Sequence, residues 1–260
     1  MKRIKTDLNF WRKQLGKGWA DEVYPLLIKD ANYLGSGMTY ADYLISNIEA
    51  DNSNNITMSE PSMGVIFKAF RLTPYGSLKV LVFGQDPDHN GLANGLAFGN
   101  IENDPKDPDY IPTAVSSNLR KIEEVVVDMY NDGDDDAFIP FDYTLESWAK
   151  QGVLLLNAAL TIVGSQPNSR ADLWKPFTDA IVKTIHDYDT GVVIMLWGKR
   201  ANAYADKFGI ITPHHVLTSE HPAQAHRQNR KWLCSNFQEG NNLLLSMNRE
   251  TVQWAMVSLK

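Results

Sequence analysis

The sequence predicts an α/β fold, a three-layer α/β/α sandwich around a central, mostly parallel four-stranded sheet. Three observations predict it. Four short apolar runs rich in β-branched residues lack the alternation of half-buried strands, so both their faces are covered. Helical patterns fill the intervals between them. Polar, acidic and aromatic residues gather where these runs end.

Taken in order, residues 1–58 read as a helical N-terminal region and residues 59–260 as the α/β core of one domain, with DNSNN (Asp51 to Asn55) as the join. The first run, KVLVFG (Lys79 to Gly84), breaks into a loop carrying Gln85, Asp86, Asp88 and His89, and then Phe98. The second, GVLLLN (Gly152 to Asn157), closes on Asn157. The third is GVVIMLW (Gly191 to Trp197), and the fourth, HHVLTS (His214 to Ser219), leads into His221. Helices are predicted over about 114–130, 173–187, 199–208 and 224–238. In open α/β sheets the crevice at the carboxyl ends of the strands is where ligands bind, because the loops leaving the strands converge there. Asp86, Asn157 and His221 each lie at or just after such an end, so the three are expected to meet.

Composition narrows the function. The single cysteine, Cys234, excludes an internal disulfide and a four-thiolate iron–sulfur cluster, and points to a reducing compartment. The basic start MKRIK is followed by TDLNFWRKQLG, where a secretory signal needs an apolar run. No stretch reaches the roughly 20 apolar residues of a membrane helix. The expectation is a cytoplasmic protein without membrane contact, acting as a monomer. A net charge of −6 argues against unspecific coating of nucleic acid. Much of the acid, however, sits in NIENDPKDPDY (Asn100 to Tyr110) and DMYNDGDDDAF (Asp128 to Phe138), whereas Lys199, Arg200, Lys207, His226, Arg227, Arg230 and Lys231 gather in the C-terminal third. A local basic face is compatible with an acidic total, as is an ordinary solvated surface. DGDDD lacks the spacing and closing Glu of a calcium loop, and no metal or cofactor is expected.

Four blocks carry a resemblance. KVLVFGQDPDHNGLANGLAFG (Lys79 to Gly99) resembles the GQDPYH…GLAF water-activating motif of family 1 uracil-DNA glycosylases. LESWAKQGVLLLNAALT (Leu145 to Thr161), VIMLWGKRA (Val193 to Ala201) and SEHPAQAHR (Ser219 to Arg227) resemble that family's later blocks, in the same order. Ordered blocks are far more specific than any single one. The resemblance implies a monofunctional DNA glycosylase, with DNA as partner, that hydrolyses the N-glycosidic bond of a flipped-out pyrimidine and leaves an abasic site.

Such hydrolysis builds positive charge on the sugar and negative charge on the departing base, so a site needs an anion near the sugar and donors aimed at the base. By resemblance Asp86 orients or deprotonates the water and His221 donates to the base's O2, best as a neutral ring. Gln85 adds a backbone amide, Phe98 stacks on the base, and Asn157 reads its Watson–Crick edge. The Asn157 amide can present either face, which leaves uracil-type and cytosine-type bases both open. Each residue also has a plainer use. Asp86 before Pro87 is turn chemistry, Asn157 a cap, Phe98 core, and His221 a surface turn.

The departures from the family pattern bear on substrate and DNA contact. Where the family has a tyrosine that excludes a C5 methyl, this chain has Asp88 in a slightly shortened loop. The expected result is a pocket enlarged at C5, suited to a hydroxymethylated or glucosylated pyrimidine as found in some phage genomes, with a role in anti-phage defence; the plainer outcome is that Asp88 turns to solvent while another residue closes that edge. Ordinary uracil repair is the alternative, and a non-catalytic DNA-binding adaptor is the alternative of another class. The family's HPSPLS, with its wedging leucine, reads HPAQAH here, so Ala225 takes the leucine's place position for position, or Gln224 is the nearest plug. His226 and Arg227 remain for phosphates. Thr113, Ser116 and Ser117 either contact phosphates at a helix start or simply cap it.

Overall fold

A computed structural model describes residues 3–53, 64–101, 114–131, 138–188, 190–205 and 215–256. Its centre is a four-stranded sheet of β1 (Val80–Gly84), β2 (Val153–Asn157), β3 (Val193–Trp197) and β4 (His215–Ser219), in the order β2-β1-β3-β4. Every pairing is parallel. All residues of β1, β2 and β3 are buried, as their unbroken apolar runs require, whereas β4 at one edge is only half-buried.

The register decides where chemistry is possible. Gly84 pairs with Asn157, Phe83 with Leu196, and Trp197 with Ser219, so the four strands end level with one another. Loops leaving those ends start side by side. That brings three segments distant in sequence to one rim.

Helices cover both faces. Ahead of the sheet come α1 (Leu8–Leu15), α2 (Lys17–Leu27), α3 (Tyr40–Ser53) and the short α4 (Lys68–Leu72). Asp7 caps α1 by accepting from the Phe10 N–H at 2.7 Å. The indole of Trp11 packs against Phe67 and Phe177 at 5.7 and 6.1 Å, and Trp19 Nε1 donates to the Thr73 carbonyl at 2.8 Å. The N-terminal helices therefore share the main core. Between β1 and β2 lie α5 (Ser117–Tyr130) and α6 (Glu146–Lys150). The long α7 (Ala171–His186) buries Trp174, Phe177, Ile181 and Ile185. Next come α8 (Lys199–Asn202), α9 (Pro222–Arg227) and α10 (Asn236–Ser246). Among the described residues, no helix is long and apolar enough to cross a membrane.

The four predicted strands are present, and three of the sequence-based boundaries need correction. The helix expected over 224–238 is two helices, because Asn229 takes φ 48 and the chain turns inward to bury Trp232 against Trp197, ring centroids 4.9 Å apart. Trp232 Nε1 then donates to the Glu220 carbonyl at 3.0 Å, which ties that turn to the end of β4. The helix expected over 199–208 is interrupted by a turn at 203–204 after Lys199–Asn202, and residues 206–208 lie outside the described residues. Asp51 to Ser53 continue α3 instead of forming a linker. His214 and most of the two acidic segments lie outside the described residues.

Candidate active site

Beyond the level strand ends lies a cavity of about 420 Å³. It brings together Gln85, Asp86, Asp88 and Phe98 from the loop after β1, and Asn157 from the end of β2. His221, His226 and Arg227 join from the segment after β4, with Ser116 and Ser117 from the start of α5. Thr113 lies outside the described residues. Gln224 is exposed on α9 away from the cavity lining. Ala225 needs correction as a DNA contact. Its side chain is fully buried, because α9 turns that face onto the core, so it is out of reach of a duplex.

Asp86 is held from one side only. Its Oδ2 accepts from the Asn168 N–H at 3.1 Å and from Gln85 Nε2 at 2.5 Å. Its Oδ1 is buried and meets no donor among the described residues. An unpaired buried carboxylate oxygen costs free energy, so this atom is suited to accept from a substrate or a reacting water. Asn168 itself takes φ 63, a left-handed conformation that asparagine tolerates better than most residues.

The other groups are set by close backbone approaches. A Cβ on Gly84 would lie 2.2 Å from Asn157 Oδ1, so only glycine at the end of β1 lets the Asn157 amide fold across it. Phe98 takes φ 66, a strained conformation that turns its ring toward Trp197 and His221, with centroids 5.1 and 6.0 Å away. The buried Asn94 braces that loop, donating to the carbonyls of Asn100 and Thr144 at 2.7 and 2.9 Å. Asp88 Oδ1 accepts from the Asn90 N–H at 2.8 Å, which closes a turn, and Asp88 is among the residues that line the cavity.

His221 N-caps α9. Its Nδ1 accepts from the Ala223 N–H at 3.2 Å, so in the neutral ring the proton sits on Nε2, which is then a donor. Burial, then the charge of Arg227, holds its pKa below the ordinary 6.5, and the ring is neutral at physiological pH. Gly198 lies beneath it, since a Cβ there would approach the His221 Cβ to 2.7 Å. Ser116 caps α5 through its Oγ, at 3.2 Å from the Leu119 N–H, so the plainer of its two uses is occupied. Burial pushes the Cys234 thiol up to about 11, which leaves it inert as a nucleophile.

Gly84, Gly198, Asn94 and Asn168 escaped the reading of the sequence. The two glycines carry a signal that was available there, since one ends a strand beside Gln85 and the other directly follows a strand. Gly84→Ala should displace the Asn157 amide and lower kcat/KM about tenfold or more, the loss of a hydrogen-bonded pair, while the midpoint of thermal unfolding moves by only a few degrees. A variant with unchanged kcat/KM would show that Asn157 does not read the base from this position.

Fold and site together define an α/β enzyme with an acidic group, an amide and a neutral imidazole around one cavity. The family model described as the uracil DNA glycosylase superfamily matches residues 70–245. The chain is 34% identical to a uracil-DNA glycosylase of Fusobacterium nucleatum, over 77% of this chain and 82% of that one. It is 37% identical to a uracil-DNA glycosylase of Coxiella burnetii, over 75% and 80%. The crystal structure of mimivirus uracil-DNA glycosylase superposes with a TM-score of 0.67 at 21% identity, over 98% of this chain and 95% of that one, which shows the shared fold. The chain belongs to the uracil DNA glycosylase superfamily, and its activity is that of a DNA glycosylase.

Proposed function

We propose that this glycosylase hydrolyses the N-glycosidic bond of a flipped-out pyrimidine and admits bases enlarged at C5. The observation that carries the reading is one cavity shared by Asp86, Asn157 and His221, with the buried Oδ1 of Asp86 unpaired. In the proposed reaction a water held on Asp86 Oδ1 attacks C1′ as the C1′–N1 bond breaks. The water's proton passes to the carboxylate, and the base leaves with its electron pair. The Nε2–H of His221 donates to the O2 on which that charge collects, Phe98 stacks on the ring, and the Asn157 amide pairs with its edge. Ser117, His226 and Arg227 at the mouth contact the DNA backbone. The protein acts as a monomer in the cytoplasm.

Support for the C5 half comes from position 88. Asp88 lines the cavity where the resembling motif has an aromatic ring, and Phe98 is the single aromatic six-membered ring among the described lining residues. The carboxylate of Asp88 suits a hydroxyl substituent. Phage DNA carries such bases, and a defence role follows from this reading. The alternative, excision of unsubstituted uracil in repair, is favoured by the names of the relatives in Fusobacterium nucleatum and Coxiella burnetii.

Matched oligonucleotides bearing uracil, thymine, 5-hydroxymethyluracil, 5-hydroxymethylcytosine or its glucosylated form decide between the readings when alkali-labile sites are scored. Cleavage of 5-substituted bases is expected, as is its loss by tenfold or more in Asp88→Tyr with uracil excision retained. Cleavage confined to uracil would leave the repair reading alone.

A further inference from the structure

The hydrogen bonds behind Asp86 end on a charge that the reaction above does not use. Asn168 donates its N–H to Asp86 Oδ2 at 3.1 Å, and its own Oδ1 accepts from Gln85 Nε2 at 3.1 Å and from Arg200 Nη1 at 2.7 Å. Arg200 belongs to α8, after β3, so this contact joins two of the loops that build the site. We propose that Arg200 is a positioning residue for Asp86, acting through Asn168. The inference rests on the reading of Asp86 as the group that holds the water.

Among the described residues Asp86 Oδ2 has two donors and Oδ1 has none, so the carboxylate's rotation is fixed by whatever fixes those donors. One is the Gln85 amide and the other the Asn168 backbone. Both lead to the same Asn168 Oδ1. A guanidinium donor is charge-assisted and directional, stronger than the neutral amide that shares this acceptor. With Arg200 removed, the side-chain Oδ1 of Asn168 keeps, among the described residues, the weaker of its two donors. A carboxylate displaced by about 1 Å from its working position is enough to slow a reaction about a hundredfold.

The exposed Arg200 also borders a second groove, beside Lys199 and Arg227, where contact with a DNA phosphate is the competing use. The two uses differ in what they change. Positioning acts on the chemical step, whereas a phosphate contact acts on affinity and its salt dependence.

The test compares Arg200→Ala, Arg200→Lys, Asn168→Gly and the double variant Arg200→Ala/Asn168→Gly in single-turnover excision at saturating DNA, with Kd measured across a salt series. Arg200→Ala is expected to slow excision about ten- to a hundredfold with Kd and its salt slope unchanged. Arg200→Lys should restore part of the rate, because an ammonium can still donate to Asn168 Oδ1. Asn168→Gly tolerates the positive φ and keeps the N–H on Asp86 while losing Oδ1, so it should slow excision similarly, and the double variant should be no slower than the worse single one.

Additive losses in the double variant, or a weaker Kd with the salt slope reduced by about one, would overturn the proposal and make Arg200 a phosphate contact. Asp86→Asn serves as control. If it is inactive while Arg200→Ala excises at the full rate, only the positioning role fails; if it is active, the underlying reading fails. Should Asn168→Gly not fold, the alanine and lysine variants at 200 still decide through the rate, Kd and salt slope.

Discussion

Asp86→Asn is expected to lower the single-turnover rate of base excision about a thousandfold or more. A general base contributes about 10²–10⁴ and a positioned charge about 10²–10³, and Asp86 is placed to serve as both. The amide has nearly the same volume as the carboxylate, but the local hydrogen bonds dictate how it sits. The donors Gln85 Nε2 and Asn168 N–H both face the Oδ2 position, so the amide oxygen must turn to them. Its NH2 then occupies the place of Oδ1. The atom presented to a reacting water becomes a donor where an acceptor is needed. Charge and polarity are lost in one substitution while the packing survives. The variant should therefore unfold within a few degrees of the parent, and its affinity for an abasic-site duplex should be little changed. Excision within tenfold of the parental rate would remove Asp86 from the chemistry.

What the sequence disclosed and what it hid divide along physical lines. The strands were legible because a strand covered on both faces must be an unbroken apolar run, and β1, β2 and β3 are buried throughout. Asp86, Asn157 and His221 stood out because they lie at or just after the carboxyl ends of such runs and within the blocks that resemble the glycosylase family. Their meeting depends on the level register of four strand ends, which the sequence implies only through the fold. Asn168 was hidden for the opposite reason. It sits in a loop eleven residues past β2 and reaches Asp86 through a backbone N–H, a group every non-proline residue carries. The break between α9 and α10 was hidden as well, because the burial of Trp232 against Trp197 is a contact across 35 residues of chain that no local periodicity reports. Ala225 is a related case. Its small side chain in a wedge position suggested exposure, whereas α9 packs that face against α5.

His221→Ala is expected to slow excision about 10²–10³-fold, the usual cost of deleting a donor aimed at developing negative charge. It also removes the N-cap of α9, which costs about 0.5–2 kcal/mol of stability, so rate and fold are both affected. His221→Asn separates them. Asparagine is a good cap, and its Oδ1 can accept from the Ala223 N–H as Nδ1 does, but its side chain is too short to supply a donor at the Nε2 position. The expected result is near-parental thermal stability at pH 8 with excision as slow as in the alanine variant. pH gives a second check. The unfolded histidine titrates near 6.5 and the folded one lower, so the unfolded chain takes up a proton first as the solution is acidified. The histidine's contribution to stability is fully present above pH 6.5 and is lost as pH falls through 6.5 toward the lowered folded value. His221→Asn has no such component, and its unfolding midpoint should rise relative to the parental one in that window. Parental excision rates in His221→Asn would show that capping, and not donation to the leaving base, is what this imidazole contributes.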